Sequence, residues 1–284
     1  GRDGNPLFKA TLLRRDADLA LEGDLATSWE LSEDRLTWRI TLRDDARFSD
    51  GTPLTAEDVA FTFKAARDAG GLADLSVLEA ARATGPQELE PHLREPRITF
   101  VSHLVSLVIV PAASYAEGYA RDPLGAGPFR MVEWREGEQL VVAPNPHWHG
   151  GDIVFDRISF VFGGEETNLS LARTGAAHLV AVPPAQADMA PAGMRVLDVE
   201  TVDNRGLMFP VRPDEGQTTE AGHPIGNDVT ADLAIRRAVN LALDREALVA
   251  LALAGHGRPA FGPVDGLPWD NPEAHLPSGD PASA

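Results

Sequence analysis

Trp29, Leu31, Leu36, Trp38, Ile40 and Leu42 alternate with polar residues on either side of Ser32-Glu33-Asp34-Arg35, and the chain then runs through Asp50-Gly51-Thr52-Pro53 into Thr55. Apolar residues at period two on both arms of a polar turn predict an antiparallel hairpin with one buried face. Thr55, with Asp58 three positions on, predicts a helix N-cap in a variant of the capping box. Val59, Phe63 and Ala66 follow at i, i+4 and i+7, which gives that helix an apolar stripe to lay on the sheet. Strand, strand, turn and capped helix are thus specified within Leu25–Asp68, and no other stretch limits the fold as tightly.

Beyond it, Gly70-Gly71 ends the first helix and Leu78–Ala83 reads as a short helical turn before Gly85-Pro86. Ile98–Phe100 and Leu107–Val110 read as short apolar strands. Phe129 and Met131, with Leu140 and Val142, flank Arg135-Glu136-Gly137-Glu138 as a second hairpin. Ile158, Phe160 and Phe162 alternate as a strand, and Leu169–Thr174 is a short helix closed by Gly175. Thr201–Val211 reads as one more strand. Asp232–Leu243 and Asp244–Ala254 read as consecutive helices, with Asp244 capping the second and Gly255 in the left-handed position after it. After Phe261 the composition turns to Pro, Gly, Asp and Ser, as in a linker or tail. Strands and helices are interleaved, so an α/β or α+β fold follows.

With 43 Asp+Glu against 25 Lys+Arg, the net charge of -18 opposes phosphate backbones and anionic membrane surfaces, so no nucleic-acid partner is expected. The 284 residues contain no cysteine, which excludes disulfides, thiolate metal sites and Cys nucleophiles. No apolar run approaches the ~18 residues of a membrane span, and the opening GRDGNPLFKA is not a signal peptide.

Few motifs suggest chemistry. His147 and His149 form a His-x-His pair whose rings would share one face of a strand, and a third ligand would make it a metal site. The plainer reading is a surface turn beside Asn145-Pro146. Glu165-Glu166, just before a helix, fit helix-dipole partners better than an acid/base pair. Gly125-Ala126-Gly127-Pro128 lacks the Lys and helix of a phosphate loop and reads as a tight turn into the second hairpin. Trp29 and Trp38 read as core residues. No Ser-His-Asp spacing and no G-x-S-x-G occur, so nothing supports nucleophilic catalysis.

LATSWELSEDRLTWRITLRDDARFSDGTPLTAEDVAFTF resembles the signature region of the extracytoplasmic solute-binding proteins of family 5, the peptide, nickel and opine binders that feed ABC importers. Three further blocks follow in that family's order. LGAGPFRMVEWREGEQLVVAPNPHWHGG carries Gly125, Gly127, Pro128, Asn145, Pro146, Gly150 and Gly151 at matching places. FDRISFVFGGEETNLSLARTGAAHLV resembles the strand-helix unit after it. IRRAVNLALDREALVALALAGHGRPAFGPV resembles the paired helices, with Arg236, Ala238, Asp244, Arg245 and Gly255 in register.

The resemblance implies a lobe of the type II periplasmic binding protein kind, α/β, with a mixed sheet, flanking helices and an inserted α+β subdomain. Residues 1–45 and 155–262 would form the main lobe, 46–154 the insertion, and 263–284 a linker toward a second lobe. It further implies a non-enzymatic, periplasmic or otherwise extracytoplasmic receptor, free or lipid-anchored. Such a receptor delivers a peptide or other small organic solute to ABC permease subunits and needs no cofactor or resident metal. A first lobe by itself is expected to bind weakly or not at all.

In nickel-type members a Trp and an Arg approach the chelated metal, and Leu78 and Leu107 align there. Neither can hold an anionic chelate, which favours a peptide-like solute. Ser76, Leu78, Leu107 and Arg205 are the candidate ligand contacts, Arg205 being the only charged one. His149 stands where the family usually has Trp, and His178 where Asp is common. The alternatives are a metal-dependent hydrolase built on His147 and His149, or a nickel-chelate binder of the same family.

Overall fold

The computed structural model describes residues 5–70, 73–199, 201, 205–262, 264–267, 269–276 and 278–284. They fall into two compact units, Gly1–Phe162 and Gly163–Ala284, each treated by itself.

The first unit opens with the short helix α1 (Asn5–Phe8) and a small hairpin, β1 (Leu13–Arg15) and β2 (Leu21–Gly23). The Trp-bearing hairpin follows as β3 (Ala26–Leu31) and β4 (Trp38–Leu42), with Trp29 opposite Ile40 and Leu31 opposite Trp38. Alternation buries Trp38, Ile40 and Leu42, while Trp29 and Leu31 pack half-buried against the same core. The turn at Asp50 forms because its Oδ1 accepts from the Thr52 N–H at 2.9 Å and the Thr52 hydroxyl at 2.6 Å, with Gly51 at φ 88.

Helix α2 (Ala56–Ala69) starts at Thr55 and ends at Gly70, whose φ of 61 lies in the left-handed region. Asp58 Oδ2 accepts from the Thr55 N–H at 3.0 Å and the Thr55 hydroxyl at 3.1 Å, while its Oδ1 accepts from the Ala112 N–H at 2.9 Å. One carboxylate therefore caps the helix and holds the distant turn at Ala112. Thr62, buried one turn on, accepts from the Val110 N–H at 3.1 Å and so repeats the tie. Val59 and Phe63 lie in the core, and Phe63 stacks on Phe100 with ring centroids 6.0 Å apart.

Strands β5 (Leu78–Ala83) and β6 (Glu88–Leu93) complete a four-stranded sheet in the order β3-β4-β6-β5, antiparallel throughout. This sheet pairs β4 with β6 across position 45. Leu78–Ala83, expected as a helical turn, is thus a strand: its Leu, Glu, Ala and Arg favour helix, and five pairings to β6 override that weak preference. β6 is not anticipated in the sequence because Pro91 sits inside it. The ladder from β4 covers only Leu89 and Glu88, and pairing resumes at His92 in an isolated bridge to Thr37, so Pro91 lies in the gap, where its missing N–H costs no bond to β4.

Ile98–Phe100, expected as a strand, is a 3-10 turn that leads into α3 (Val101–Ser106). Only Phe100 of the three is buried, as a one-sided turn allows, while Ile98 is exposed. Leu107–Val110 makes a single bridge, Thr11 with Val108, reinforced by the Ile109 N–H to Ala10 carbonyl bond at 3.0 Å. A separate three-stranded antiparallel sheet joins β7 (Phe129–Arg135), β8 (Gln139–Pro144) and β9 (Ile158–Val161) in sequence order. Its hairpin turns at Arg135–Glu138 as expected.

Gly125 and Gly127 lie against the backbone of Phe8 and Lys9: a Cβ on Gly125 would meet the Phe8 carbonyl oxygen at 1.9 Å, and one on Gly127 the Lys9 nitrogen at 2.5 Å. The close approach lets the Gly127 N–H reach the Phe8 carbonyl at 3.0 Å. These glycines are required by packing, because the space a Cβ would need is filled by backbone.

The second unit contains α4 (Glu165–Arg173), α5 (Asp228–Ala231), α6 (Leu233–Ala242) and α7 (Arg245–Ala252). Glu165-Glu166 open α4, and Gly175 follows it at φ 70. Asp232 and Asp244 cap α6 and α7 by accepting from the Ala234 and Ala247 N–H groups at 2.8 and 3.0 Å. Of the strand expected at Thr201–Val211, residues 202–204 lie outside the described residues, as does Gly71. Residues 205–211 carry no ladder, and Met208 is 96% exposed. A strand needs a paired neighbour, and among the described residues this unit offers none. Helices α6 and α7 bury no residue.

Candidate functional site

Residues 73–77 form the bend that precedes β5, and the Asp74 side chain organises it. Asp74 Oδ1 accepts from the Ser76 N–H at 3.1 Å, and Ser76 hydrogen bonds hold the Asp74 carboxyl below its usual 3.8. Arg97 approaches Asp74 Oδ2 at 3.6 Å and Glu95 at 2.8 Å. His103, on α3, sits edge-on to Phe100 at 5.9 Å and within electrostatic range of both Asp74 and Arg97. Burial holds its imidazole below the usual 6.5, opposed by the negative charge of Asp74. The His103 carbonyl accepts the Leu107 N–H at 2.9 Å and ends α3.

Two of the expected contacts thereby share one rim of the first unit. Ser76 is exposed on it, and Leu107 lies half-buried at the end of the helix that carries His103. Leu78 is fully buried opposite Leu93, so it seats β5 and its side chain does not face a solute. Arg205 belongs to the second unit, where it is exposed. Asp74, Arg97 and His103 are not singled out by the sequence, because they are isolated polar residues brought together by the β5–β6 pairing and α3. The rim carries an ion pair, a half-buried imidazole and a bend of backbone, polar groups able to hydrogen bond to a solute.

The first unit also carries a cavity of about 490 Å³ lined by Ser49, Asp50, Tyr119, Asp122, Arg130 and Met131. The Tyr119 hydroxyl donates to the Leu124 carbonyl at 2.5 Å, and burial pushes its pKa up. Lys9 lies 5.0 Å above the Tyr119 ring, its pKa lowered by burial. The second unit has a hollow of about 510 Å³ lined by Arg173, Thr174, His178, Pro191 and Met194.

The hydrolase reading fails on geometry. His149 Nε2 lies 2.8 Å from Asp24 Oδ1, with side chains only 2% and 12% exposed, so this nitrogen is occupied and shielded from substrate. Nor is the pair a plain surface turn: His147 continues from an Asn145 turn, where Asn145 Oδ1 accepts its N–H at 2.9 Å, but His149 is interior. Neither histidine belongs to a group of three metal-ligating side chains among the described residues.

Residues 20–284 match the family model described as bacterial extracellular solute-binding proteins, family 5 Middle. The chain is 31% identical over 263 residues to the probable D,D-dipeptide-binding periplasmic protein DdpA of Escherichia coli K12, covering 88% of this chain and 49% of that protein. It is 33% identical over 288 residues to protein XP55 of Streptomyces lividans, covering 96% and 49%. The chain spans about half the length of the curated relatives it matches. NikZ from Campylobacter jejuni, solved in complex with Ni(L-His), superposes with a TM-score of 0.83 at 23% identity over 98% of this chain and 56% of that one. AppA from Bacillus subtilis, solved with a nonapeptide, gives 0.73 at 21% identity over 97% and 56%. The type II periplasmic binding protein fold expected from the sequence is the fold these structures share.

Proposed function

The chain belongs to family 5 of the bacterial extracellular solute-binding proteins, and from that membership we propose that it acts in the capture of a peptide-like or related small organic solute for an ABC importer. The observation that carries this reading is the family match across residues 20–284. The family comprises binding proteins of extracytoplasmic location. This chain's role is binding and delivery to permease subunits, with transport driven by ATP hydrolysis elsewhere and no reaction of its own. An extracytoplasmic place, free or lipid-anchored, is part of the proposal, and among the described residues no helix is long and apolar enough to cross a membrane.

Ser76 and Leu107 are proposed as solute contacts on the rim, with Asp74, Arg97 and His103 beside them, and Leu78 as the residue that seats β5 just after Ser76. Arg205 is proposed as a partner for a solute carboxylate. The main lobe of 1–45 with 155–262, the insertion of 46–154 and the linker after 262 are proposed as the plan of the longer protein.

The test is native mass spectrometry and titration calorimetry with dipeptides and longer peptides, on residues 1–284 and on the full-length protein. A peptide retained by the full-length protein, with weaker binding by 1–284, is expected. Arg205→Ala should weaken binding of a carboxylate-bearing solute by about 10- to 100-fold, the loss of one charge-assisted hydrogen bond. Stoichiometric metal with hydrolytic turnover and no retained solute would overturn the proposal.

A further inference from the structure

Asp265, Asp270 and His275 converge within the second unit, in a stretch whose composition suggests only a tail. His275 Nε2 lies 3.1 Å from Asp270 Oδ1 and 3.5 Å from Asp265 Oδ1, and one ligating atom from each residue lies within 4.8 Å of the others. Their side chains are 10%, 14% and 23% exposed for Asp265, Asp270 and His275, low for charged groups on so acidic a chain. Zinc bonds of about 2.0–2.2 Å at tetrahedral angles place neighbouring ligand atoms about 3.3–3.6 Å apart, near the 3.1 and 3.5 Å observed.

The surroundings hold these groups as ligands are held. The ring of His275 stacks on Phe261 with centroids 4.9 Å apart and planes 12° from parallel, which fixes the direction of Nε2. Arg245, from the start of α7, lies 5.0 Å from the Phe261 ring centroid and so ties the stack to the helix. Asn271 accepts the Glu273 N–H at 3.2 Å and sets the 3-10 turn Pro272–Ala274 that delivers His275. The second oxygen of Asp270 accepts the Gly266 N–H at 3.3 Å, leaving Oδ1 to face the imidazole. Arg258 is the basic neighbour, at 3.8 Å from Asp265 Oδ2, the oxygen turned away from His275. A ring held by stacking and a carboxylate held by a backbone N–H are the outer supports that ligating histidines and carboxylates have in metal sites.

We propose that Asp265, Asp270 and His275 bind one divalent transition-metal ion of the zinc class through one nitrogen and two carboxylate oxygens, leaving a fourth position for water or an external donor. One imidazole with two carboxylates excludes thiophilic ions, and the nitrogen makes magnesium and calcium poor matches. The ion would clasp the segment 265–275 against itself, so binding stabilises the second unit.

The experiment uses residues 1–284, stripped with EDTA and dialysed, titrated with zinc chloride by calorimetry and followed by thermal unfolding. One zinc per chain and a raised unfolding temperature are expected. Asp270→Asn and His275→Gln should each weaken binding by at least about tenfold, the range for disturbing even the outer supports of a metal site. Far-UV circular dichroism of both variants checks that they fold, and Asp265→Asn serves if one does not. His178→Gln, outside the cluster, should bind as the unaltered protein does. Absence of binding, or zinc binding that all the cluster variants retain, would overturn the assignment in favour of an imidazole bridging two aspartates.

Discussion

Asp24 Oδ1 and His149 Nε2 meet at 2.8 Å although 125 residues of chain separate them, and the imidazole is almost wholly enclosed. Asp24 Oδ2 accepts the Thr11 N–H at 3.1 Å, so one carboxylate ties the segment before β1 to the loop after β8. Removing either member leaves a buried polar group without its partner, so His149→Ala and Asp24→Ala should each cost ~1–3 kcal/mol. Trp29, Trp38, Trp134 and Trp148 all lie in the first unit, and urea unfolding followed by their fluorescence reads the loss. A cost below ~1 kcal/mol would mean that water replaces the missing group.

Asp58 should prove the most sensitive polar residue of α2. Asp58→Ala removes the cap on Thr55 and leaves the Ala112 N–H without its acceptor, a combined cost of ~2–3 kcal/mol. Asp58→Asn keeps one acceptor oxygen and should lose about half as much. Equal losses in the two variants would show that charge at the helix start outweighs the hydrogen bonds.

The sign of the pH dependence follows from His103. Because burial lowers its pKa in the folded chain, the unfolded chain binds more protons between the folded value and 6.5. Stability from this group is therefore complete above 6.5 and falls as the pH drops through the folded pKa. Asp68 and Asp74, held below 3.8 by hydrogen bonds from Lys64 and Ser76 respectively, add a loss of the same sign at lower pH. His103→Gln should flatten the unfolding midpoint of the first unit as the pH falls below 6.5, and an unchanged slope would remove His103 as the cause.

Gly127→Ala should be far more damaging than a change at Gly137. The new Cβ would press on the Lys9 nitrogen at 2.5 Å, backbone that cannot swing aside, for a loss of at least ~2–3 kcal/mol. Gly137 has φ 77 and open space around it, so Gly137→Asn should cost under ~1 kcal/mol. Thermal unfolding of both variants makes the comparison, and equal shifts would contradict it.

The second unit should bind an environment-sensitive dye such as ANS. Met208 is 96% and Leu251 85% exposed, and α6 and α7 bury nothing. Met208→Glu with Leu251→Glu should cut the signal by about half without lowering helicity. A signal that the double variant leaves intact would place the dye elsewhere.

What could be read from sequence depended on whether the information was local. The β3–β4 hairpin, α2 and the β7–β8 hairpin were legible because apolar period, turn residues and caps agree within short windows. β5 was not, because Leu78–Ala83 carries helix-favouring residues and becomes a strand only through β6, which Pro91 conceals. Ser76, Leu107 and Arg205 came from family resemblance. The neighbours Asp74, Arg97 and His103 came only from the tertiary pairing that assembles them. His149 shows the same limit: its place in the sequence suggests a surface turn, and its partner is set by the packing of remote segments.

The fit of Gly125 and Gly127 onto Phe8 and Lys9 also imposes an order in time. The Phe8 carbonyl and the Gly127 N–H that meet at 3.0 Å are made about 120 residues apart. At ~5–20 residues per second, the first waits ~6–24 s for the second during synthesis. Throughout that interval the Phe8–Lys9 backbone lacks the Gly125–Gly127 segment on which it docks.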